Sequence, residues 1–185
     1  MKLTDYVVQE RGEEFSRDCL HRPLFPVNMR LFHSSPHYHR HILDILGYMA
    51  WHLGQKWEDY ISNVDGGTFG ISCANLGMAY NIIGFRREGA SPAFMINPVI
   101  IESSMRMTRT MSNCGSIRLK GKIPIDRHTW VVVEYYTVEG KKVEERFTNK
   151  EAGFTIQHEI DHNNGILITD RFKEQGGKQE VIDKL

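Results

Sequence analysis

Residues 157–170, QHEIDHNNGILITD, contain two histidines four positions apart with a glutamate directly after the first. On an α-helix, positions i and i+4 lie one turn apart on the same face, so His158 and His162 can both present a ring nitrogen to one metal ion. Glu159 then lies beside that ion, where a carboxylate can accept and deliver a proton. Two protein ligands do not complete a metal site, and the pattern therefore predicts a third ligand elsewhere in the chain.

The residues downstream of this pattern do not supply that ligand. No histidine follows His162, and Ile168 stands where one class of metalloproteases has its third histidine. Glu174 and Glu180 do follow, but they fall in a tail rich in glycine and lysine, which we expect to be frayed. We therefore expect the third ligand upstream.

We consider three upstream residues as candidates for the third ligand, Cys73, Cys114 and His128, because thiolate and imidazole bind divalent first-row metals. Cys114 lies between small residues in SNCGSI, as a ligand at the edge of a strand or loop would. Cys73 lies between Ser72 and Ala74, a setting that favours a small buried core residue over a ligand.

Length and composition limit the class of protein. A chain of 185 residues is long enough for one well-packed domain, and we expect a single domain over 1–185. The 23 basic residues balance the 23 acidic ones, so electrostatic attraction predicts neither a nucleic acid nor a membrane as partner. The amino terminus does not resemble a targeting signal and no apolar run has the length of a membrane span, which favours a soluble, cytoplasmic protein.

The elements that must position these residues can be predicted from hydrophobic periodicity. Residues 1–35 are expected to be irregular, because prolines interrupt them. The first helix is predicted from Pro36 to Gly54, where five apolar residues recur at helical spacing: Ile42, Ile45, Leu46, Met49 and Leu53. Residues 63–70, NVDGGTFG, are predicted as a turn-rich loop.

Strands and a second helix are predicted to follow this loop. Residues 78–87 and 93–101 are predicted as strands, and 128–147 as a hairpin with a Glu-Gly-Lys turn. The helix that carries the histidines is predicted to begin near Asn149 and Glu151 and to end at Gly165. These elements predict an α+β fold, with small antiparallel sheets around the late metal-binding helix and an N-terminal helix.

Four segments together resemble the peptide deformylase family. HEIDHNNGIL is similar to its HExDHxxGxL motif, SNCGSI occupies the place of EGCLS, FGISCANLG occupies that of GLAAxQxG, and MINPVI resembles a strand of the family between these two motifs. Their order and approximate spacing agree from about residue 36 to residue 170. The resemblance therefore extends over most of the chain.

The resemblance implies a metal site and a reaction. It implies Cys114, His158 and His162 as ligands of one divalent metal ion, with water in the fourth position and Glu159 as the catalytic acid-base. It also implies Fe2+ as the native metal, with Zn2+, Ni2+ or Co2+ able to occupy the site. The substrates would be N-formylmethionyl peptides or nascent chains, from which the enzyme releases formate.

Three positions depart from the family pattern. Asn75 stands in the place of a glutamine whose side chain stabilises the oxyanion, and it is one methylene shorter; a turn residue that caps a loop is the alternative interpretation. Gly115 follows the cysteine and would donate its backbone N–H to the oxyanion; a strand bulge is the alternative. Ser112 replaces a glutamate, which removes a carboxylate close to the ligands.

The substrate pocket is expected to be apolar, and the residues near the motifs that would line it are Gly70, Ile71, Thr155 and Ile156. Arg127 would hold the peptide backbone as an arginine of the family does. Asp161 has two interpretations that the sequence leaves open, a residue just behind the ligands or one on the helix surface.

Two further stretches attract attention. Four histidines in HSSPHYHRH suggest a second metal site, and they are His33, His37, His39 and His41. Exposed histidines are the preferred interpretation, because no acidic or cysteine partner is nearby. Residues 50–68 are longer than the corresponding segment of the family and are expected to form a solvated loop, or one that shapes access to the cleft.

The sequence therefore favours a peptide deformylase, expected to be monomeric, from a bacterium or a bacteriophage. The family's long terminal helix, which contacts the ribosome in some members, has little room after Phe172, so ribosome association is left open. A related metal amidase with another acyl group is the first alternative. A non-catalytic, metal-stabilised binding protein is the second.

Overall fold

A computed structural model of the protein describes residues 19–60, 68–87, 90–117, 121–149 and 152–183. Its helices are α1 (Met29–Ser34), α2 (Pro36–Tyr60), α3 (Gly153–Asn163), α4 (Ile168–Glu174) and α5 (Gln179–Asp183), with a short 3-10 helix at Cys73–Leu76. Its strands are β1 (Thr68–Ser72), β2 (Ile82–Arg87), β3 (Ala93–Ser103), β4 (Met107–Ser112), β5 (Ile123–His128), β6 (Trp130–Tyr136) and β7 (Lys142–Thr148).

The strands form two antiparallel sheets. A five-stranded sheet has the order β1-β2-β3-β6-β7, and β4 pairs with β5 in a separate two-stranded sheet. Helix α3 packs against β1 and β2, and α4 packs against β5. The predicted α+β fold, with antiparallel sheets around the late helix, is confirmed.

Three apolar clusters hold these layers together. The apolar face of α2 is buried as its periodicity predicted, and it packs with residues of β1, the 3-10 helix and β2 such as Ile71, Leu76 and Ile82. Helix α3 places Ile156 and Ile160 in a second cluster under the five-stranded sheet. A third cluster joins Cys114 to the two-stranded sheet and to α4.

The amino-terminal predictions need two corrections. Residues 29–34 are helical rather than irregular, because the side chain of Asn28 accepts a hydrogen bond from the Leu31 N–H (3.1 Å) and caps the turn. Helix α2 continues past Gly54 to Tyr60, so the expected loop is wrong over residues 50–60. Residues 1–18 and 61–67 lie outside the described residues.

The strand predictions are largely confirmed. Strands β2 and β3 fall within or just beyond the predicted segments, and β6 and β7 form the predicted hairpin with a turn at Gly140. Two assignments were incomplete. Strand β1 begins at Thr68, inside the predicted loop, and the pair β4–β5 was not predicted at all.

The carboxyl-terminal region also differs in part from its prediction. Helix α3 begins after Ala152, which has a left-handed φ of 78° and no side-chain cap, so the proposed start at Asn149 is wrong; Glu151 lies outside the described residues. Gly165 has a φ of 76° just past the helix end, as predicted. The tail is not frayed over residues 168–174, because α4 buries Ile168 and Phe172.

The three cysteines, Cys19, Cys73 and Cys114, are free and buried. Among the residues that the structure describes, no helix combines the length and apolar character required to cross a bilayer.

Candidate metal centre

Three side chains converge at one end of α3. The ligand atoms of Cys114, His158 and His162 all lie within 4.8 Å of one another. The Cys114 Sγ lies 3.2 Å from the His162 Nε2, and the two imidazole centroids lie 4.7 Å apart. Consecutive turns of α3 present the histidines, and the loop after β4 brings the cysteine to them across 48 residues of sequence.

The other sequence candidates for the third ligand lie elsewhere. The Cys73 Sγ packs 3.7 Å from the Met49 Sδ in the α2 core, as expected for a small buried residue. The His128 Nδ1 is hydrogen-bonded to the Ser104 carbonyl at 2.7 Å. Within the described ranges no second group of three such side chains converges, and this includes the histidines of α1 and α2.

The three donors are suited to a divalent metal ion. Burial lowers the pKa of His158 well below its usual value and that of His162 to about 4, so both imidazoles are neutral at pH 7 and retain a lone pair. Burial raises the pKa of the Cys114 thiol to about 12, because a thiolate is poorly solvated there. A bound cation would reverse that preference, and one thiolate with two imidazoles is a donor set that Fe2+, Co2+, Ni2+ and Zn2+ accept.

Glu159 lies on the same helix, with only 3% of its surface exposed. Its Oε2 has no hydrogen-bond partner among the described residues, and burial raises its pKa to about 8. Gly70 of β1 leaves the room for this carboxyl group, since a Cβ at that position would lie 2.6 Å from the Glu159 Oε1. A buried carboxyl group that titrates near neutral pH beside metal donors can both accept and deliver a proton.

Asn75 is the third residue of the 3-10 helix, and its side chain forms a capping box with Ser72, the N-cap residue. Its Oδ1 accepts hydrogen bonds from the Ser72 N–H (2.6 Å) and the Ser72 hydroxyl (3.0 Å). Its Nδ2 donates to the Ser116 hydroxyl at 2.6 Å. This geometry corresponds to the capping interpretation of Asn75; its expected role as oxyanion donor stays a prediction.

The loop around the cysteine is a turn. Gly115 is exposed within it, beyond the end of β4, so the strand-bulge interpretation is wrong; the role of its N–H as an oxyanion donor stays a prediction. The Ser116 N–H donates to the Cys114 Sγ at 3.4 Å, which favours the thiolate. Ser112 is half-buried at the end of β4 opposite Ile123.

The expected substrate residues are only partly grouped at the site. Gly70 and Thr155 meet beside Glu159, because a Cβ on Gly70 would lie 2.5 Å from the Thr155 methyl carbon. Ile71 and Ile156 are instead packed in two different core clusters, with 3% and 0% of their surfaces exposed. Their side chains contribute to the core, and their expected place in the substrate pocket stays a prediction.

Arg127 is held by a buried ion pair. Its side chain is 6% exposed and ion-paired with Asp161, and its expected role as a contact to the peptide backbone stays a prediction. Asp161 is thereby assigned to the buried side of α3. Arg171 of α4, which sequence reasoning missed, completes the pair from the other side, with its Nη2 2.6 Å from the Asp161 Oδ1. No local sequence pattern links these three residues, and their opposite charges are the one sequence signal that could have suggested an ion pair.

Comparison with known proteins gives a consistent result. The family model of polypeptide deformylase matches residues 39–178. A peptide deformylase of Chloroflexus aurantiacus is 38% identical over 93 residues, which cover 50% of this chain and 48% of that protein. The chain thus spans about half the length of such curated relatives.

Solved structures match over a longer range. An actinonin-bound class I type b peptide deformylase from Acinetobacter baumannii is 25% identical with a TM-score of 0.68, covering 89% of this chain and 96% of that one. A structure of such an enzyme with bound Met-Ala-Ser has the same fold at 24% identity, a TM-score of 0.65 and coverage of 89% and 96%. Since the family model matches most of the chain and the structures match its fold, the chain belongs to the polypeptide deformylase family.

Proposed function

We propose that this chain is a metal-dependent peptide deformylase, which hydrolyses the formyl amide of N-formylmethionyl peptides and releases formate. The observation that carries the proposal is the convergence of Cys114, His158 and His162 within 4.8 Å beside the buried Glu159. Family membership over residues 39–178 supports it, and we further propose that 1–185 forms one catalytic domain.

Hydrolysis joins water to the formyl carbon and breaks the carbon–nitrogen bond, which yields formate and a free amino terminus. Cys114, His158 and His162 would hold the metal ion, whose chemistry when bound is to acidify water and polarise the formyl carbonyl. Glu159 accepts a proton from the attacking water at its carboxylate and delivers a proton to the departing nitrogen. Its pKa of about 8 lies close enough to neutral pH for both protonation states to be accessible.

The remaining properties of the site belong to the same proposal. Fe2+ is proposed as the native metal, with Zn2+, Ni2+ or Co2+ as substitutes, since one thiolate and two imidazoles suit all four. Metal analysis of protein purified without oxygen tests this: an iron content well below that of another metal would reject Fe2+.

The proposed substrates are nascent chains that begin with formylmethionine, and the Met-Ala-Ser bound to the Acinetobacter baumannii enzyme supports a peptide of this kind. We propose a monomer in the cytoplasm of a bacterium, or one encoded by a bacteriophage. Light scattering tests whether the protein is a monomer, and co-sedimentation with ribosomes tests whether it associates with them. The balanced charge predicts that such association would be weak.

Formate release from formyl-Met-Ala-Ser, measured on the metal-loaded protein, tests the reaction. We expect Glu159→Gln to lower the rate by about 10²- to 10⁴-fold while metal content stays the same, because the proton acceptor is lost and the ligands are not. Glu174→Gln, at an exposed position of α4, is the matched control and should retain the rate.

Two outcomes would replace this proposal with an alternative. Hydrolysis of acetyl-Met-Ala-Ser at a rate equal to that of the formyl peptide would indicate a metal amidase of broader acyl preference. No hydrolysis of either peptide, with full metal content, would indicate a metal-stabilised binding protein.

A further inference from the structure

Asn75 lies in a chain of hydrogen bonds that ends at the cysteine of the metal centre. Its Oδ1 accepts from the N–H and the hydroxyl of Ser72, at 2.6 Å and 3.0 Å, and its Nδ2 donates to the Ser116 hydroxyl at 2.6 Å. The Ser116 N–H in turn donates to the Cys114 Sγ at 3.4 Å. Two loops separated by 41 residues in sequence are thereby joined through one amide.

The members of this chain are closed off from solvent. Ser72 is 0%, Ser116 is 1% and Asn75 is 8% exposed. Water therefore cannot easily replace a broken bond, and an orphaned amide or hydroxyl in this place is unfavourable. The planar amide is fixed at both ends, since its oxygen is held by Ser72 and its nitrogen by Ser116.

We propose that Asn75 and Ser116 are positioning residues, which together form a bracket that holds the Cys114 thiolate at the distance and direction that a metal ion requires. The bracket explains why a shorter amide stands at position 75. A glutamine there would carry its amide one methylene further and could not keep the Ser72 and Ser116 bonds with the backbone in its present position. The inference rests on the metal site of the proposed function but does not depend on which reaction the site catalyses.

The test uses Co2+ as the probe and binding rather than turnover as the readout. Metal-free protein is titrated with Co2+ without oxygen, and its affinity is measured by competition with a chelator. The sulfur-to-cobalt charge-transfer band reports the cysteine ligand directly. We expect Asn75→Ala, Asn75→Gln and Ser116→Ala each to weaken Co2+ binding by about 10- to 100-fold and to shift that band, as the loss of groups that orient ligands does.

A double variant tests whether the two residues act as one device. If the bracket is a unit, Asn75→Ala with Ser116→Ala should weaken binding by about as much as either single change. A double variant whose loss equals the product of the two single losses would show that they act independently, and the bracket would then be rejected.

Asn97→Gln is the matched control. Asn97 makes a similar two-bond tie, accepting from the Val27 N–H (2.7 Å) and donating to the Val27 carbonyl (2.9 Å), where β3 meets the segment before α1. The same lengthening should reduce stability there and leave Co2+ affinity and the charge-transfer band unchanged. Urea unfolding of every variant distinguishes a loss of affinity from a loss of folded protein.

Failure of the bracket can be distinguished from failure of the proposed function. If the Asn75 and Ser116 variants bind Co2+ within about twofold of the unmodified protein and the band does not move, the bracket is wrong. Faster formate release in Asn75→Gln with unchanged affinity would also reject it, and would establish Asn75 as a shortened oxyanion donor. If the variants bind Co2+ more weakly and the unmodified protein releases no formate, the deformylase proposal is rejected and the bracket is supported.

Discussion

Replacing Asp161 with asparagine should be among the most destabilising single changes at the metal helix. The Asp161 carboxylate lies between two guanidinium groups, ion-paired with Arg127 of β5 and with Arg171 of α4. The side chains of Asp161 and Arg127 are only 7% and 6% exposed, whereas that of Arg171 is 33% exposed. Asparagine preserves the shape of the residue but removes the one negative charge that faces both cations.

The size of the effect follows from burial. Removing one partner of a buried ion pair leaves an uncompensated charge and costs about 3–5 kcal/mol, so we expect Asp161→Asn to lose an amount of that order. Arg171→Met should lose only about 1 kcal/mol, because it leaves the buried Arg127 pair intact and removes a group that is partly solvated. Arg127→Met combined with Asp161→Leu should be milder than Asp161→Asn alone, since no buried charge then remains without a partner.

Unfolding in urea, which unlike guanidinium chloride does not screen charges, measures these differences on metal-free protein. Asp126→Asn is the matched control, because Asp126 pairs with Arg109, whose side chain is 68% exposed, and its loss should cost much less than that of Asp161. The reasoning is refuted if Asp161→Asn costs no more than Asp126→Asn, or if Arg171→Met costs as much as Asp161→Asn.

Two further predictions concern the site itself. Gly70→Ala should slow formate release by about a hundredfold at unchanged metal content, because its Cβ would displace Glu159. A rate equal to that of the unmodified protein would show that the carboxyl group is not held there. Gly47→Ala is the control, because a Cβ at that position meets nothing within 4 Å. Co2+ binding to metal-free Glu159→Gln protein at pH 7 should release about one proton, supplied by the buried Cys114 thiol, since both imidazoles are already neutral. Calorimetry in two buffers of different ionisation enthalpy measures it, and release of none would contradict cysteine ligation.

The features that sequence analysis predicted correctly are those with a local physical cause. The apolar positions of α2 recur every three or four residues, and the β6–β7 hairpin combines β-branched residues with a glycine turn, so both were predictable. The spacing of His158 and His162 determines that they share a helix face. Cys114 required the resemblance to a family, because its 48-residue separation from His162 leaves no periodic signal.

The features that were missed depend on contacts between distant segments. Apolar and polar residues do not alternate along β4, and Pro124 argues against a strand at β5, so their mutual pairing identifies them. The ion pair of Arg127 with Asp161 was missed because 34 residues separate the two side chains in sequence. Asn75 stands in the place of a glutamine of the family, and its contact with Ser116 could not be predicted because 41 residues separate the two side chains.

The structure gives a reason for the glycine of HEIDHNNGIL that the motif alone does not reveal. At Gly165 the chain has a φ of 76°, and a Cβ there would lie 2.5 Å from the backbone nitrogen of Arg22. The Leu24 N–H also donates to the Asn163 carbonyl at 2.8 Å, so residues 22–24 cross the carboxyl-terminal end of α3. The motif therefore serves two separate purposes, since its histidines are placed to bind a metal ion and its glycine leaves room for residues 22–24. Shortening the protein from its amino terminus past these residues would uncover the helix end that carries His162.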